Sequence, residues 1–193
     1  EFHDGKKKMV QEAHRILSEA DIIVHYNGTS FDIPHLKREF WLAKMAPPAP
    51  FLEVDLMKAV KRHFRFMSNK LQHICAQKGI GAKAETGGHE LWVKCLLGDR
   101  TAWNRMREYN KHDVVLTEQL YDSILPWIDN HPHVGLGIGK LADSCNRCGK
   151  SNLQYRGYAK TRSTLYRRFQ CMDCGGWGRT SKSEARIRTL GIK

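Results

Sequence analysis

The amino-acid sequence predicts an α/β fold followed by a small strand-rich module that carries two pairs of cysteines. The α/β prediction rests on residues 1–130, where short β-rich segments alternate with runs that have the hydrophobic period of a helix. The module is predicted from the cysteines, because the two members of each pair are separated by only two residues. The pairs are Cys145 with Cys148 and Cys171 with Cys174.

The positive charge of the chain is concentrated near its C-terminus. The formal net charge is +12, and residues 131–193 carry 13 Lys/Arg against 3 Asp/Glu, a net charge of +10. A short segment with so much charge of one sign attracts polyanions, although a merely solubilising tail is the alternative. No segment approaches the roughly 20 apolar residues of a membrane span, and no signal-peptide pattern opens the sequence. We therefore expect a cytoplasmic protein with no membrane partner.

The first elements follow from hydrophobic periodicity and turn residues. Residues 6–19 have the period of a helix, and residues 22–26 form a short β-rich segment that ends at an Asn-Gly turn. A second helix is predicted over 31–43, and a second strand over 51–55 after a proline-rich break. Asp55 ends that strand and is a candidate acid beside any site at the strand ends.

The remaining elements of the first part are helices. Helical periodicity covers 56–66 and 69–78, with Ser68 as a predicted N-cap for the second of these helices. Asp99 is predicted to cap a long helix whose apolar stripe comprises Trp103, Met106, Val114, Leu116 and Leu120. Two strands alone make a poor sheet, so we expect missing strands or a partner that supplies them.

The second part begins after a segment rich in glycine and proline. Short strands are predicted over 153–158 and 163–170, between the two cysteine pairs. The predicted domains are 1–130 for the α/β part, 131–143 for a linker, 144–182 for the cysteine module and 183–193 for a basic tail.

The cysteine spacing is typical of a structural zinc site. Two residues between cysteines let one tight turn direct both sulfurs at a single ion, and 22 residues separate Cys148 from Cys171. Glycines follow each pair and permit the close turns that such a site needs. Four thiolates leave no open position, which indicates a structural Zn²⁺ in a zinc ribbon. Disulfides and an iron–sulfur cluster are the alternatives.

Basic and aromatic residues alternate on the predicted ribbon strands. This arrangement suits contact with phosphates together with stacking of bases, although some of the aromatic rings must pack the ribbon itself. The candidate nucleic-acid contacts are Arg156, Lys160, Arg162, Arg167 and Arg168. DNA is favoured over RNA as the partner, although no motif decides between them.

Two motifs in the first part carry carboxylates. One is Asn27-Gly28-Thr29-Ser30-Phe31-Asp32 at the end of the first strand, and the other is Tyr109-Asn110-Lys111-His112-Asp113 in the long helix. Tyr109 and Asp113 share one helix face because they are four residues apart. A carboxylate beyond a strand and another on a packed helix can converge on a divalent ion, as phosphodiester hydrolysis by two metals requires.

These motifs resemble the second and third motifs of the DEDDy 3′–5′ exonucleases, Asn-x3-Phe/Tyr-Asp and Tyr-x3-Asp. The resemblance covers roughly residues 6–130 and implies a ribonuclease H-like fold. It implies that Asp32 and Asp113 hold Mg²⁺ or Mn²⁺, that Tyr109 orients the attacking water, and that Asn27 and Phe31 contact the substrate strand. Exonuclease-like proteins of bacteriophages are similar at Tyr26–Gly28, Phe31–Pro34, Trp92 and Tyr109–Tyr121, which would place the protein in a bacterial host cytoplasm.

The sequence departs from this family at its first motif. Asp-x-Glu is absent, and it should lie on a strand before the helix over 6–19, so we expect the fold to be partial. Only half of the acidic cluster is present, and another polypeptide would have to supply the missing strands. The alternatives are a non-catalytic nucleic-acid-binding or assembly module on a degenerate nuclease fold, and an endonuclease or resolvase of the same broad fold.

Overall fold

The computed structural model of the 193-residue chain describes residues 5–81, 88–137, 139 and 143–186. Residues 138, 140–142 and 187–193, which belong to the predicted linker and basic tail, lie outside the described residues. The chain divides into two compact units, Glu1–Ile124 and Leu125–Lys193. It is a mixed α/β protein with a C-terminal cluster of four cysteines.

The first unit alternates helices and strands before it becomes entirely helical. Its first five elements are α1 (Lys6–Glu19), β1 (Ile22–His25), α2 (Asp32–Leu42), β2 (Leu52–Asp55) and α3 (Leu56–His63). The remaining helices are α4 (Leu71–Lys78), α5 (His89–Leu96) and α6 (Arg100–Ile124). The predicted helices and strands up to Asp55 are therefore present, each within two residues of its predicted bounds.

The two strands form a small parallel sheet, with Ile22 opposite Leu52 and His25 opposite Asp55. Because the strands are parallel, their carboxyl ends lie at the same edge of the sheet. Helices α1 and α2 pack together beside the sheet through a core of Val10, Leu17 and Phe40, with Ile23, Leu36 and Phe51 against it. The turn after β1 and the start of α3 are thereby brought together at this edge.

Three other helices of the unit, α3, α4 and α5, pack against the long helix α6. Its N-terminus is capped as predicted, because the Asp99 carboxylate accepts hydrogen bonds from the Thr101 and Ala102 amides at 2.8 and 3.1 Å. Helix α5, which was not predicted, packs on α6 through an apolar cluster of Leu91, Cys95, Ala102 and Met106. Farther along, α6 packs against α3 and α4.

Two predictions about these helices are wrong. Helix α4 begins at Leu71, so Lys70 and not Ser68 holds the N-cap position, although the Ser68 hydroxyl accepts a hydrogen bond from the Lys70 amide at 3.4 Å. Val114 is 68% exposed and does not belong to the buried stripe of α6. The stripe instead contains Ala102, Met106, Leu116, Leu120 and Ile124.

The second unit is built around an antiparallel sheet. A short 3₁₀ turn over Leu125–Trp127 and the one-turn helix α7 (Val134–Gly137) precede β3 (Leu153–Lys160), β4 (Thr164–Cys171) and β5 (Trp177–Arg186). The strand order is β3-β4-β5, so β4 is central. Strands β3 and β4 match the two predicted strands, whereas β5 was not predicted and continues beyond residue 182 into the range given to a basic tail.

No helix within the described ranges combines the length and the apolarity that a bilayer span requires.

The packing of α6 leads to a test of stability. Leu116 is 1% exposed and its carbonyl oxygen lies 4.0 Å from the Cys75 sulfur of α4. We expect Leu116→Ala to lower the free energy of unfolding by about 3 kcal/mol, because the substitution leaves a cavity in this contact.

Val115→Ala is the matched control, since Val115 lies on the same helix and is 45% exposed. It should change the free energy of unfolding by no more than about 0.5 kcal/mol. Chemical denaturation followed by circular dichroism measures both variants, and equal losses would contradict the packing described for α6.

Candidate functional site

The carboxylate of Asp55 joins the turn after β1 to the beginning of α3. Its Oδ1 atom accepts hydrogen bonds from the backbone amides of Asn27 at 3.0 Å, Met57 at 3.0 Å and Lys58 at 3.4 Å. The last two amides belong to the first turn of α3, where the helix has no partners of its own for its N–H groups. The side chain of Asp55 is only 3% exposed, so these hydrogen bonds fix a buried group.

The side chain of His25 also makes a hydrogen bond to this turn. The Gly28 amide donates a hydrogen bond to Nδ1 of His25 at 3.0 Å, so Nδ1 carries no proton and the ring proton lies on Nε2. Nε2 then donates to the Glu53 carboxylate at 3.1 Å, and the Thr29 hydroxyl donates to the same oxygen at 3.1 Å. Two neighbouring strands and the turn are thus tied together by polar side chains.

The backbone of the turn requires its Asn-Gly sequence. Asn27 has a φ of 66°, a left-handed conformation that asparagine tolerates better than most residues. A Cβ atom on Gly28 would lie 2.6 Å from Cγ of His25, which is closer than side chains pack. The first motif therefore has a fixed backbone path between His25 and Asp55.

The other residues of the first motif lie on the surface at the start of α2. Phe31 is 58% exposed, and its ring centroid lies 4.6 Å from that of His35. Asp32 is exposed and is the first residue of α2, where the helix dipole favours a negative charge. Phe31 and Asp32 are therefore accessible to a ligand, whereas the Asn27 backbone is held by Asp55.

The second motif lies on α6, where Tyr109 and Asp113 are both half-buried. Tyr109 packs against the apolar cluster between α5 and α6. Burial raises the pKa of the Cys75 thiol on α4, and the negative charge of Asp113 raises it further. Tyr109 thus faces α5, and α4 contacts α6 at the Leu116 carbonyl, three residues beyond Asp113.

Tyr26 links this region to the first motif. Its hydroxyl donates a hydrogen bond to the Asn69 carbonyl at 2.6 Å. Burial raises the pKa of Tyr26 to about 12, with smaller contributions from Cys75 and Asp55. Asn69 lies two residues before α4, and the Cys75 sulfur of α4 lies 4.0 Å from the Leu116 carbonyl oxygen of α6. The segment from Asn69 through α4 therefore contacts both the residue before the first motif and the helix that carries the second.

The carboxylates of the described residues do not complete a divalent-ion site. Across residues 5–81, 88–137, 139 and 143–186, the only group of three or more His, Cys, Asp or Glu side chains with converging ligand atoms is the cysteine cluster. Mg²⁺ and Mn²⁺ bind through several oxygen ligands, so Asp32 and Asp113 fit such an ion only with further ligands.

The four cysteines of the second unit do form a metal-ligand set. Their sulfur atoms all lie within 4.8 Å of one another, and Cys145–Cys174 and Cys148–Cys171 are each 3.6 Å apart. A tetrahedral zinc site with Zn–S bonds of 2.3 Å would separate its sulfurs by about 3.8 Å. This cluster can hold zinc and is compatible with a zinc ribbon.

Both cysteine turns have the same hydrogen bonds. In the first turn, the Gly149 amide donates to the Cys145 carbonyl, and the Cys145 amide donates to the Lys150 carbonyl, both at 2.8 Å. In the second turn, Gly175 and Gly176 make the equivalent bonds with Cys171, both at 2.9 Å. Gly149 and Gly175 have φ values of 69° and 77°, the conformation that glycine adopts without strain.

Arg147 lies inside the first cysteine turn and is 4% exposed. Its guanidinium donates to the Ile128 carbonyl at 2.9 Å and also to the Trp177 carbonyl at the start of β5. These hydrogen bonds connect the segment before the turn with the last strand of the sheet. Arg147 therefore has a structural position and is not available for nucleic acid.

The predicted nucleic-acid contacts lie on β3, β4 and the turn between them. Arg156, Lys160, Arg162, Arg167 and Arg168 are all exposed. Arg167 and Arg168 are consecutive in a strand and point to opposite faces of the sheet. Arg167 lies over the Tyr155 ring at 4.3 Å, and Arg168 lies over the Trp177 ring at 5.0 Å.

Three residues with polar roles were missed by the sequence analysis. His25 and Glu53 are in contact only because β1 and β2 pair in this register, and Arg179 is placed by a strand that was not predicted. The hydrophobic pattern contains no signal for any of these contacts. Strand pairing alone brings them into place.

The sequence model of the RNase_H superfamily matches residues 2–125. This range contains both acidic motifs and nearly coincides with the first compact unit. A comparison with curated protein sequences gives no match.

The hydrogen bonds of Asp55 lead to a test of its importance. We expect Asp55→Ala to lower the free energy of unfolding by about 2–3 kcal/mol, because a buried amide of Asn27 and the first turn of α3 lose their acceptor. Asp55→Asn, which keeps the Oδ1 acceptor, should lose less.

Asp99→Ala is the matched control, since Asp99 caps α6 at an exposed position. It should lower the free energy of unfolding by about 1 kcal/mol. Denaturant titrations compare the three variants, and a loss for Asp55→Ala no larger than for Asp99→Ala would show that the tie to Asn27 adds no stability.

Proposed function

Because the chain belongs to the RNase H superfamily, we propose that it is a metal-dependent 3′–5′ exonuclease of the DEDDy type that acts on nucleic acid. The observation that carries the proposal is the superfamily match over residues 2–125, because this range contains both acidic motifs, some eighty residues apart.

Each motif residue has a proposed role. Asp32 and Asp113 are ligands for Mg²⁺ or Mn²⁺, and Tyr109 orients the water that attacks the terminal phosphodiester. Asn27 and Phe31 contact the substrate strand, which the exposure of Phe31 permits. Such ions stabilise the charge that develops on the entering and leaving oxygens in a two-metal mechanism. A complete site needs further acidic ligands, and we propose that another polypeptide segment supplies them together with additional strands.

The second unit has a separate proposed role. The four cysteines hold one structural Zn²⁺, and the surrounding basic residues grip the nucleic acid, for which DNA is favoured over RNA. The domains proposed for the chain are 1–130, 131–143, 144–182 and 183–193 as the sequence predicts, except that β5 extends the ribbon to Arg186. A cytoplasmic location, in a bacterial host if the protein is encoded by a bacteriophage, is part of the same proposal.

A second candidate is a nucleic-acid-binding or assembly module without catalytic activity. One observation favours it, which is that Asp32 and Asp113 do not converge with a third acid among the described residues. The two candidates differ in whether phosphodiester bonds are broken, so one assay separates them.

The nuclease proposal is tested by the release of nucleotides from single-stranded DNA labelled at its 3′ end. With Mg²⁺ or Mn²⁺, we expect weak release by the chain alone, because its acidic cluster is incomplete, and no detectable release by Asp32→Ala or Asp113→Ala, because each variant removes a metal ligand. Asp122→Ala is the matched control, an exposed acid on the same helix as Asp113, and it should retain full activity.

Equal activity of Asp113→Ala and Asp122→Ala would contradict the roles given to the motifs. Binding of the DNA without any release of nucleotides would support the non-catalytic module instead.

The zinc proposal is tested by metal analysis of the purified chain. We expect about one Zn²⁺ per chain, and its loss in Cys171→Ser, because a structural site needs all four thiolates. Removal of the metal with a chelator should speed amide hydrogen exchange in β3, β4 and β5.

Cys95→Ser is the control, since Cys95 is a buried thiol of the first unit outside the cluster. The Cys95→Ser variant should contain as much zinc per chain as the unchanged protein. An unchanged zinc content in Cys171→Ser would show that the metal binds elsewhere.

A further inference from the structure

Two arginines face each other across the sheet of the second unit. Arg168 of β4 lies directly opposite Arg179 of β5 in the antiparallel register. Directly opposed residues of an antiparallel pair project from the same face, and like charges in such a pair repel each other. The opposition of two guanidinium groups is therefore a feature that needs a physical explanation.

Aromatic rings support both guanidinium groups. The Cζ atom of Arg179 lies 3.8 Å from the ring centroid of Tyr166, and that of Arg168 lies 5.0 Å from the ring centroid of Trp177. Each contact joins a residue of β4 to a residue of β5. Each of these two strands therefore contributes one arginine and one aromatic ring. Such contacts attract the cation to the face of the ring and restrict where it can move.

These guanidinium groups have hydrogen-bond donors to spare. Arg168 donates from Nε to the Arg156 carbonyl at 3.0 Å. In the described part of the chain, no carboxylate lies within ion-pair distance of Arg168 or Arg179, and both side chains are exposed. Two fixed cations without an anion favour a ligand that brings negative charge.

The opposite face of the sheet differs in both charge and burial. There Arg167 lies over Tyr155, whose hydroxyl donates to the Asp143 carboxylate at 2.9 Å. Phe169 points to this face as well and is 5% exposed. An acidic group and a buried ring make this face less suited to a polyanion than the face of Arg168 and Arg179.

We propose that Tyr166, Arg168, Trp177 and Arg179 form a binding surface for the phosphate backbone of a nucleic acid, here called the arginine–aromatic surface. The two planar guanidinium groups donate hydrogen bonds to phosphate oxygens, as arginine does in bidentate contacts. The rings hold the arginines and do not read bases, so binding is salt-dependent and indifferent to sequence. The proposal rests on the proposed function in taking nucleic acid as the ligand.

The test measures binding of the full zinc-loaded chain to fluorescein-labelled DNA by anisotropy, without added Mg²⁺ or Mn²⁺. The probes are a mixed-sequence single strand and a homopolymer of equal length. Arg168→Lys and Arg179→Lys keep the charge but lose the planar stacked group. We expect each to weaken binding about 3- to 10-fold, with an unchanged dependence on salt concentration. The two probes should bind with similar affinity.

Two matched controls isolate the surface from general charge. Arg65→Lys and Arg107→Lys change exposed arginines of the first unit that have no proposed contact with nucleic acid. Both should bind within about twofold of the unchanged chain, because the same charge is retained away from the surface. Zinc content and circular dichroism verify that each variant is folded.

A second pair of variants tests the ring itself. Tyr166→Phe keeps the ring under Arg179 and should bind normally, whereas Tyr166→Leu should weaken binding as Arg179→Lys does. Equal affinity of all four lysine variants with the unchanged chain would overturn the arginine–aromatic surface while leaving nucleic-acid binding intact.

Other outcomes separate this proposal from the proposed function. If the unchanged chain binds neither DNA probe, the proposed function fails together with this surface. If polyglutamate competes as well as an unlabelled oligonucleotide of equal charge, the surface does not recognise phosphates and the assignment of its ligand is wrong.

Discussion

The second unit depends on the convergence of four cysteine sulfurs. Phe169 and Cys171 are the only buried side chains of its three described strands, which is too small a hydrophobic core to stabilise a sheet alone. A metal bound by both cysteine turns would fix the N-terminal end of β3 against the C-terminal end of β4. Arg147 then connects the first turn to β5, so the cluster and one buried cation organise all three strands.

The sequence predicted those elements whose signals are local. Helix α1 and both short strands of the first unit have clear periodicity, and Asp99 is a strong helix cap. Strand β5 was not predicted because its residues, from Trp177 to Arg186, are mostly polar. They show no alternation of apolar and polar side chains that would mark one face as buried. Its conformation comes from pairing with β4, which no local pattern reveals. Ser68 failed as a cap because helix α4 starts two residues later than the cap position requires.

The candidate sites also differ in how far a local sequence pattern predicts them. Cysteine spacing specifies a metal-ligand set by itself, and the structure brings those four sulfurs together. The contacts of His25 with Glu53 and of Asp55 with Asn27 depend on the pairing of β1 with β2 and were invisible in the sequence. Arg167 and Arg168 were grouped as neighbours along the chain, yet the alternation of a strand separates them in space.

The distances within the cysteine cluster have a consequence for redox chemistry. The two closest sulfur pairs, Cys145 with Cys174 and Cys148 with Cys171, each join one cysteine turn to the other. A disulfide needs sulfurs about 2.05 Å apart, so in the absence of metal each 3.6 Å pair requires only a small movement to become oxidised. Oxidation would then cross-link the two turns and leave no thiolate for zinc. The metal and the disulfides are competing ways to close the same ribbon, and a reducing environment favours the metal.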